Sequence, residues 1–183
     1  MTAIEVEDLT KSYGETLAND HLTFSIESVE IFGYLGPNGS GKSTTIRQLM
    51  GFQSPTEGTA TIFGEDVRDE QAFREIKARI GFLPGEPAFN ESVSGMEFLD
   101  YQAELKGDAR RDELLDLFTP PLDRDIREYS TGNKQMLGII QAFMHDPDLV
   151  IMDEPTSGLD PLKQEAFNSF LRDERDRGKT IFF

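Results

Sequence analysis

The chain has 183 residues, with 34 Asp plus Glu against 18 Lys plus Arg, a net charge of −16, and no cysteine. That length holds one domain with room for a small insert, and an apolar content of 37% without low-complexity runs excludes disorder, collagen and coiled coil. Without cysteine there is no disulfide framework or thiolate metal site, and acid spread along the whole chain disfavours nucleic-acid binding through a basic face.

Ile4 to Leu9 and Leu22 to Ile26 are β-rich, and Ile31-Phe32-Gly33-Tyr34-Leu35 is a short apolar run bounded by turn residues, so three strands are expected. Gly36 to Gly41 contains three glycines, a Pro and an Asn, which predicts a loop, and Lys42 to Met50 continues as a helix. A turn at Ser54 to Gly58 precedes a strand over Thr59 to Phe63, a short helix over Asp69 to Lys77 and a strand over Arg79 to Leu83. Ser94 is a candidate N-cap for a helix through Lys106, and Asp112 to Phe118 predicts another before Pro120-Pro121. A helix from Ser130 to about His145, a buried strand at Leu149 to Met152, a helix from Pro161 to Arg177 and a strand from Thr180 complete the series. Strands alternating with helices imply an α/β fold with a mostly parallel core sheet, a peripheral antiparallel β part near the N-terminus and a small helical insert.

Two motifs carry chemistry. Gly36-Pro37-Asn38-Gly39-Ser40-Gly41-Lys42-Ser43, followed by Thr44, matches the phosphate-loop pattern at every fixed position and lies between a strand and a helix. Glycines let several N–H donors approach phosphate oxygens, and the helix N-terminus adds positive partial charge. Lys42 then reaches the β and γ phosphates, while the Ser43 hydroxyl ligates Mg2+. The second motif is Leu149 to Glu154, an apolar strand ending in two acids. Asp153 is expected to hold Mg2+ and Glu154 to polarise the attacking water, on opposite sides because a strand alternates its side chains. The plainer alternatives are a Gly-rich turn and a solvated strand end.

At this point the chain resembles the nucleotide-binding subunit of an ATP-binding-cassette transporter over nearly its whole length. Asp153-Glu154-Pro155-Thr156-Ser157-Gly158-Leu159-Asp160-Pro161 is similar to that family's joined Walker B and D-loop, with Asp160 the D-loop acid. Tyr129-Ser130-Thr131-Gly132-Asn133-Lys134-Gln135 resembles its signature motif, usually Leu-Ser-Gly-Gly-Gln. Tyr13 matches the aromatic that stacks on adenine, although a Tyr after a strand also reads as a packing residue. The resemblance implies a P-loop NTPase core over 1–85 and 129–183, a helical subdomain over 86–128, and ATP and Mg2+ as cofactors. It implies a second ATP-binding subunit, identical or not, whose ATP is met by Ser130, Thr131, Gly132 and Asn133, and a transmembrane permease subunit. Ser130 also reads, without the family, as a plain helix N-cap.

The chain departs from the pattern in places. Thr131 stands for a glycine and Asn133 for a glutamine, which is expected to crowd the approach to the γ-phosphate slightly. Val29 sits where a turn glycine is usual, and Gly85 where a glutamine is usual, with Glu86 beside it either as a substitute or merely solvated. The family's switch histidine follows the strand begun at Thr180, beyond these residues, and neither His21 nor His145 fills the role by position. An incomplete cassette is the resulting expectation, with ATP bound better than hydrolysed and an unpaired apolar edge at Ile181-Phe182-Phe183. The function implied is MgATP-driven transport, in an exporter branch linked to drug or antibiotic efflux. The alternatives are a binding-only remnant and a soluble non-transport cassette protein. The latter would need a second cassette or a long coiled-coil insert.

No apolar run approaches the roughly 20 residues of a membrane helix, and Met1 to Glu5 lacks the basic and apolar stretches of a signal peptide. A cytoplasmic location at the inner face of the membrane is expected. The acidic excess, with Arg outnumbering Lys, fits a surface from a high-salt cytoplasm, where ions screen self-repulsion; an ordinary acidic surface is the alternative. On the first reading, folding weakens as KCl falls from molar to about 0.1 M, because screening of like charges is lost as the Debye length grows from about 3 to about 10 Å. Thermal melting across that range checks this, and a flat midpoint rejects a salt-adapted surface.

Overall fold

The computed structural model describes residues 1–183. Its first sheet is antiparallel, in the order β2-β1-β4-β5, from β1 (Thr2–Tyr13), β2 (Thr16–Glu27), β4 (Glu57–Ile62) and β5 (Glu65–Asp66). The second is parallel, in the order β3-β8-β7-β6, from β3 (Ile31–Phe32), β8 (Thr180–Phe182), β7 (Leu149–Met152) and β6 (Ile80–Leu83). The helices are α1 (Lys42–Leu49), α2 (Glu70–Ile76), α3 (Gly95–Lys106), α4 (Arg111–Leu117), α5 (Thr131–Phe143) and α6 (Pro161–Asp176).

The strand β7 organises the interior. All four of its residues are fully buried, and they alternate as a strand must. Leu149 and Ile151 join the core built from the antiparallel sheet and α1, whereas Val150 and Met152 join the core built from α5, α6 and the α3–α4 segment. Burying each such side chain contributes about 1.5–3 kcal/mol, so this short strand binds both layers together. Phe24, Phe32 and Phe182 stack with centroids 5.7 and 5.9 Å apart, joining the two sheets below the phosphate loop.

Several expectations need correction. β1 and β2 run to 12 residues each, because their outer positions are solvated by polar side chains and the ladder tolerates several register shifts. The apolar run after Glu30 is strand only at Ile31–Phe32. The C-terminal strand is not an unpaired edge: β8 lies between β3 and β7 and pairs with both, so Ile181 and Phe182 are fully buried. Val29 adopts φ 66° at the turn into β3 and remains 48% exposed, a conformation that a β-branched residue takes only under strain.

A buried ionic cluster joins the insert to the core. Arg110, which precedes α4, meets Glu174 of α6 through two guanidinium nitrogens and also pairs with Glu113. Glu174 is 1% exposed. Burial opposes the charge on Arg110, but its hydrogen bonds to Glu174 and Glu113 outweigh this and hold the guanidinium pKa above its usual value. The same hydrogen bond to Arg110 lowers the Glu113 carboxyl to about 2. Arg110→Ala leaves the Glu174 carboxylate buried without its main partner, and the expected loss of stability is about 3–5 kcal/mol, read from urea unfolding. A loss under about 1 kcal/mol would contradict this account of the cluster.

His145, in the turn two residues past α5, is half-buried, with Nε2 3.3 Å from the Ile80 carbonyl and Nδ1 buried without a partner. Burial first, then the positive charge of Lys106, lowers its pKa from 6.5 to about 4. Between those values the unfolded chain binds a proton that the folded chain does not. His145 therefore favours the native state above pH 6.5, and this contribution is lost as pH falls toward 4. His145→Gln is expected to flatten the difference in urea midpoint between pH 7 and pH 5; an unchanged difference contradicts the assignment.

Candidate functional site

In a parallel sheet the loops that follow the strands all emerge at one edge, where open α/β sheets bind ligands. β3 leads to Gly36, β7 to Asp153 and β6 to Gly85, so the expected site residues meet at the carboxyl ends of these strands. Glu154 lines three adjoining cavities. Lys42 and Asp153 share one of about 370 Å³ with Gly36. Asn38, Gly39, Gly41, Lys42, Ser43 and Thr44 line one of about 260 Å³. Ser43 and Asp153 line the third, of about 450 Å³, with Arg47, Gly85 and Glu86.

The phosphate loop is shaped by its glycines. Gly39 and Gly41 have φ of 81° and 87°, a region that favours glycine. α1 has no side-chain cap and no acid in its first turn, so its leading N–H groups are not taken up by a side chain. By contrast, α2, α3, α5 and α6 are capped by Asp69, Ser94, Ser130 and Asp160. Lys42 Nζ donates to the carbonyls of Gly36 and Pro37 at 2.7 and 3.0 Å, on the same side as the acids.

Asp153 and Glu154 are not separated by strand alternation, because β7 stops at Met152. Glu154 instead adopts φ 49°, and this local reversal lets it border all three cavities. Buried Gln135 supports the reversal, with its Nε2 donating to the Pro155 carbonyl at 2.8 Å. The set contains a mobile ammonium, uncapped N–H donors, a hydroxyl and two carboxylates, which suits a polyphosphate with a hard divalent cation.

The signature residues, Asp160 and Tyr13 lie apart from these cavities. Ser130 caps α5 by accepting the Asn133 N–H at 3.2 Å. Thr131 leaves that cap intact, and its methyl packs where a Cβ on Gly158 would stand 2.7 Å away. Gly132 is required, since a Cβ there would meet the Gly158 carbonyl at 2.8 Å. Asp160 accepts from the Lys163 N–H at 3.0 Å, and this bond lowers its carboxyl pKa. Tyr13 ends β1 with its ring 47% exposed, and its hydroxyl accepts a hydrogen bond from Gln53 Nε2. Gly85 is not left-handed, so its backbone does not demand glycine, and Glu86 beside it is exposed. Three residues near the site had no assigned role: Arg47, Gln135 and Asn19. None of the three carries a local signal in the sequence.

Residues 19–157, from the second strand to the D-loop, match the family model described as ABC transporter. The chain belongs to this family of ATP-binding cassettes. The cassette is 37% identical over 187 residues to the bacitracin transport ATP-binding protein BcrA of Bacillus licheniformis, covering 99% of this chain and 60% of that protein. It is also 37% identical to the Nod factor export ATP-binding protein I of Paraburkholderia xenovorans, covering 98% and 61%. The chain thus spans about three-fifths of the length of these curated relatives. Among solved structures, it is similar to an ATP-binding subunit of an ABC transporter at 30% identity and a TM-score of 0.83, covering 98% of this chain and 78% of that one. A dimeric bacterial ABC transporter cassette shares the fold at 24% identity with a TM-score of 0.88, covering 98% and 86%. Cassettes of this family bind ATP with Mg2+. No helix is long and apolar enough to cross a membrane.

Proposed function

We propose that this cassette binds MgATP, closes on it as a head-to-tail dimer with a like subunit, and hydrolyses it to drive a transmembrane permease, as an exporter. The observation that carries this reading is the convergence of Lys42, Ser43, Asp153 and Glu154 on one set of cavities at the end of the parallel sheet. Two relatives, a bacitracin transport and a Nod factor export ATP-binding protein, support transport, and the second supports the exporter direction. In this reading residues 86–128, which carry α3 and α4, form the helical subdomain, and the protein works at the cytoplasmic face of the membrane.

The nucleotide phosphates lie along the Gly39-to-Thr44 backbone and the start of α1. Lys42 exchanges its loop carbonyls for β and γ oxygens, gaining charge-assisted hydrogen bonds. Ser43 and Asp153 hold Mg2+, which offsets the charge of the phosphates and orients them. Glu154 accepts a hydrogen bond from the attacking water and orients it. Tyr13 stacks on adenine, while Ser130, Thr131, Gly132 and Asn133 face the partner's ATP across the dimer. The exposed Asp160 lies in the loop that closes against the other subunit. Sedimentation of the chain with and without MgATP tests the dimer: association that requires both Mg2+ and ATP is expected, and a monomer under every condition overturns the sandwich.

A further inference from the structure

A buried polar cluster lies directly behind the phosphate loop. Asn19 on β2 is 3% exposed, while Thr45 and Gln48 on α1 are fully buried. One side of the Asn19 amide faces Thr45 Oγ1 at 3.0 Å and the Gln48 amide at 2.7 Å. The other faces the carbonyls of Ala18 and Gly41 at 2.8 and 3.2 Å. Backbone carbonyls only accept, so the Asn19 NH2 belongs on their side and its oxygen toward Thr45 and Gln48. Asn19 Oδ1 then faces Thr45 Oγ1, which also lies 3.2 Å from the Gly41 carbonyl, and the Gln48 amide, whose Oε1 stands 2.7 Å away, turns over to present its nitrogen to that oxygen. Tyr34 Oη, 3.3 Å from Thr45 Oγ1, extends the chain of bonds to a residue that lines the Lys42 cavity.

Gly41 is held against this cluster. A Cβ there would stand 2.2 Å from the Ala18 carbonyl and 2.4 Å from the Asn19 side chain. Its own carbonyl receives the Thr45 N–H at 2.9 Å and faces the Thr45 hydroxyl and the Asn19 amide, each at 3.2 Å. In a trans peptide the C=O and the following N–H point in opposite directions. With the Gly41 carbonyl drawn inward, the Lys42 N–H is turned away from the cluster, toward the cavity that Gly39, Lys42 and Ser43 line.

We infer that Asn19 is a positioning residue: its buried amide fixes the Gly41–Lys42 peptide plane and so aims the Lys42 N–H at the bound phosphate. The inference rests on the MgATP reading and adds a determinant outside the family motifs. β2 also carries Thr16, which pairs with Tyr13, so one strand connects the adenine-side hairpin to the phosphate grip.

The test is the double variant Asn19→Leu with Gln48→Leu, which removes both amides together so that neither is left without the other, while the Thr45 hydroxyl and the Gly41 carbonyl keep each other as partners. Its thermal midpoint without nucleotide is expected to match or exceed that of the wild type. Its affinity for MgATP is expected to fall about tenfold, the worth of one charge-assisted hydrogen bond. Magnesium tripolyphosphate, which has no adenine, should lose the same factor. Wild-type affinity for both ligands in the double variant overturns the inference, because a packing role is restored along with stability. A loss for MgATP alone also overturns it, since the defect would then lie at the adenine end. A wild-type chain that binds neither ligand sinks the reading of the site, and this inference with it. Through-hydrogen-bond coupling between the Asn19 side-chain nitrogen and the Gly41 carbonyl carbon tests the orientation without mutation. Its presence is expected, and its absence overturns the inference even if the double variant fails to fold.

Discussion

Lys42→Ala is expected to weaken MgATP binding by about 100-fold or more, given roughly 1.5–3 kcal/mol for each of two charge-assisted hydrogen bonds. Lys42 is the one cation common to the two cavities that flank the phosphate loop, and its ammonium already lies against the Gly36 and Pro37 carbonyls. Truncation removes the charge and its bonds to the Gly36 and Pro37 carbonyls, which are exposed and can be solvated by water instead. Thermal stability without nucleotide should therefore stay near that of the wild type. Calorimetric titration gives the affinity, and an unchanged value in a folded variant contradicts the phosphate-loop assignment.

Glu154→Gln should separate binding from turnover. The amide keeps the shape of the carboxylate but cannot take a proton from water, so hydrolysis is expected to fall about 100- to 10,000-fold. Binding of MgATP should change little, since Lys42, Ser43 and Asp153 remain. The variant should also accumulate the ATP-bound dimer, visible as a larger species in size-exclusion chromatography. A variant that hydrolyses ATP as fast as the wild type removes Glu154 from the chemistry. If wild type and variant are equally slow while both bind tightly, the binding-only alternative gains.

The parts of the site legible in the sequence are those whose spacing is dictated by chemistry. Residues Gly36 to Ser43 must bring several N–H groups and one lysine to a small anion, which permits few alternatives. β7 was legible for a different reason: it is buried on both faces, so all four of its residues are apolar. The position of β8 was not legible, because the order of strands in a parallel sheet depends on crossovers rather than on the strand's own residues, and a buried central strand resembles an unprotected apolar edge. The reversal at Glu154 was hidden as well, since it depends on Gln135, 19 residues away along the chain. The Arg110–Glu174 pair spans 64 positions and reads locally as two solvated charges. Asn19 escaped notice because the hairpin is rich in polar residues, and nothing local distinguishes the one that turns inward.

Hydrolysis, dimer closure and transport all presuppose that the 183-residue chain holds MgATP at the phosphate loop. Isothermal titration of the purified wild-type chain with ATP, with and without Mg2+, tests this most directly when run beside Lys42→Ala. The expected result is saturable binding of one nucleotide per chain that is strengthened by Mg2+ and largely lost in the variant. Folded wild-type protein that takes up no ATP with Mg2+ present, or takes it up equally well without Lys42, would contradict the account.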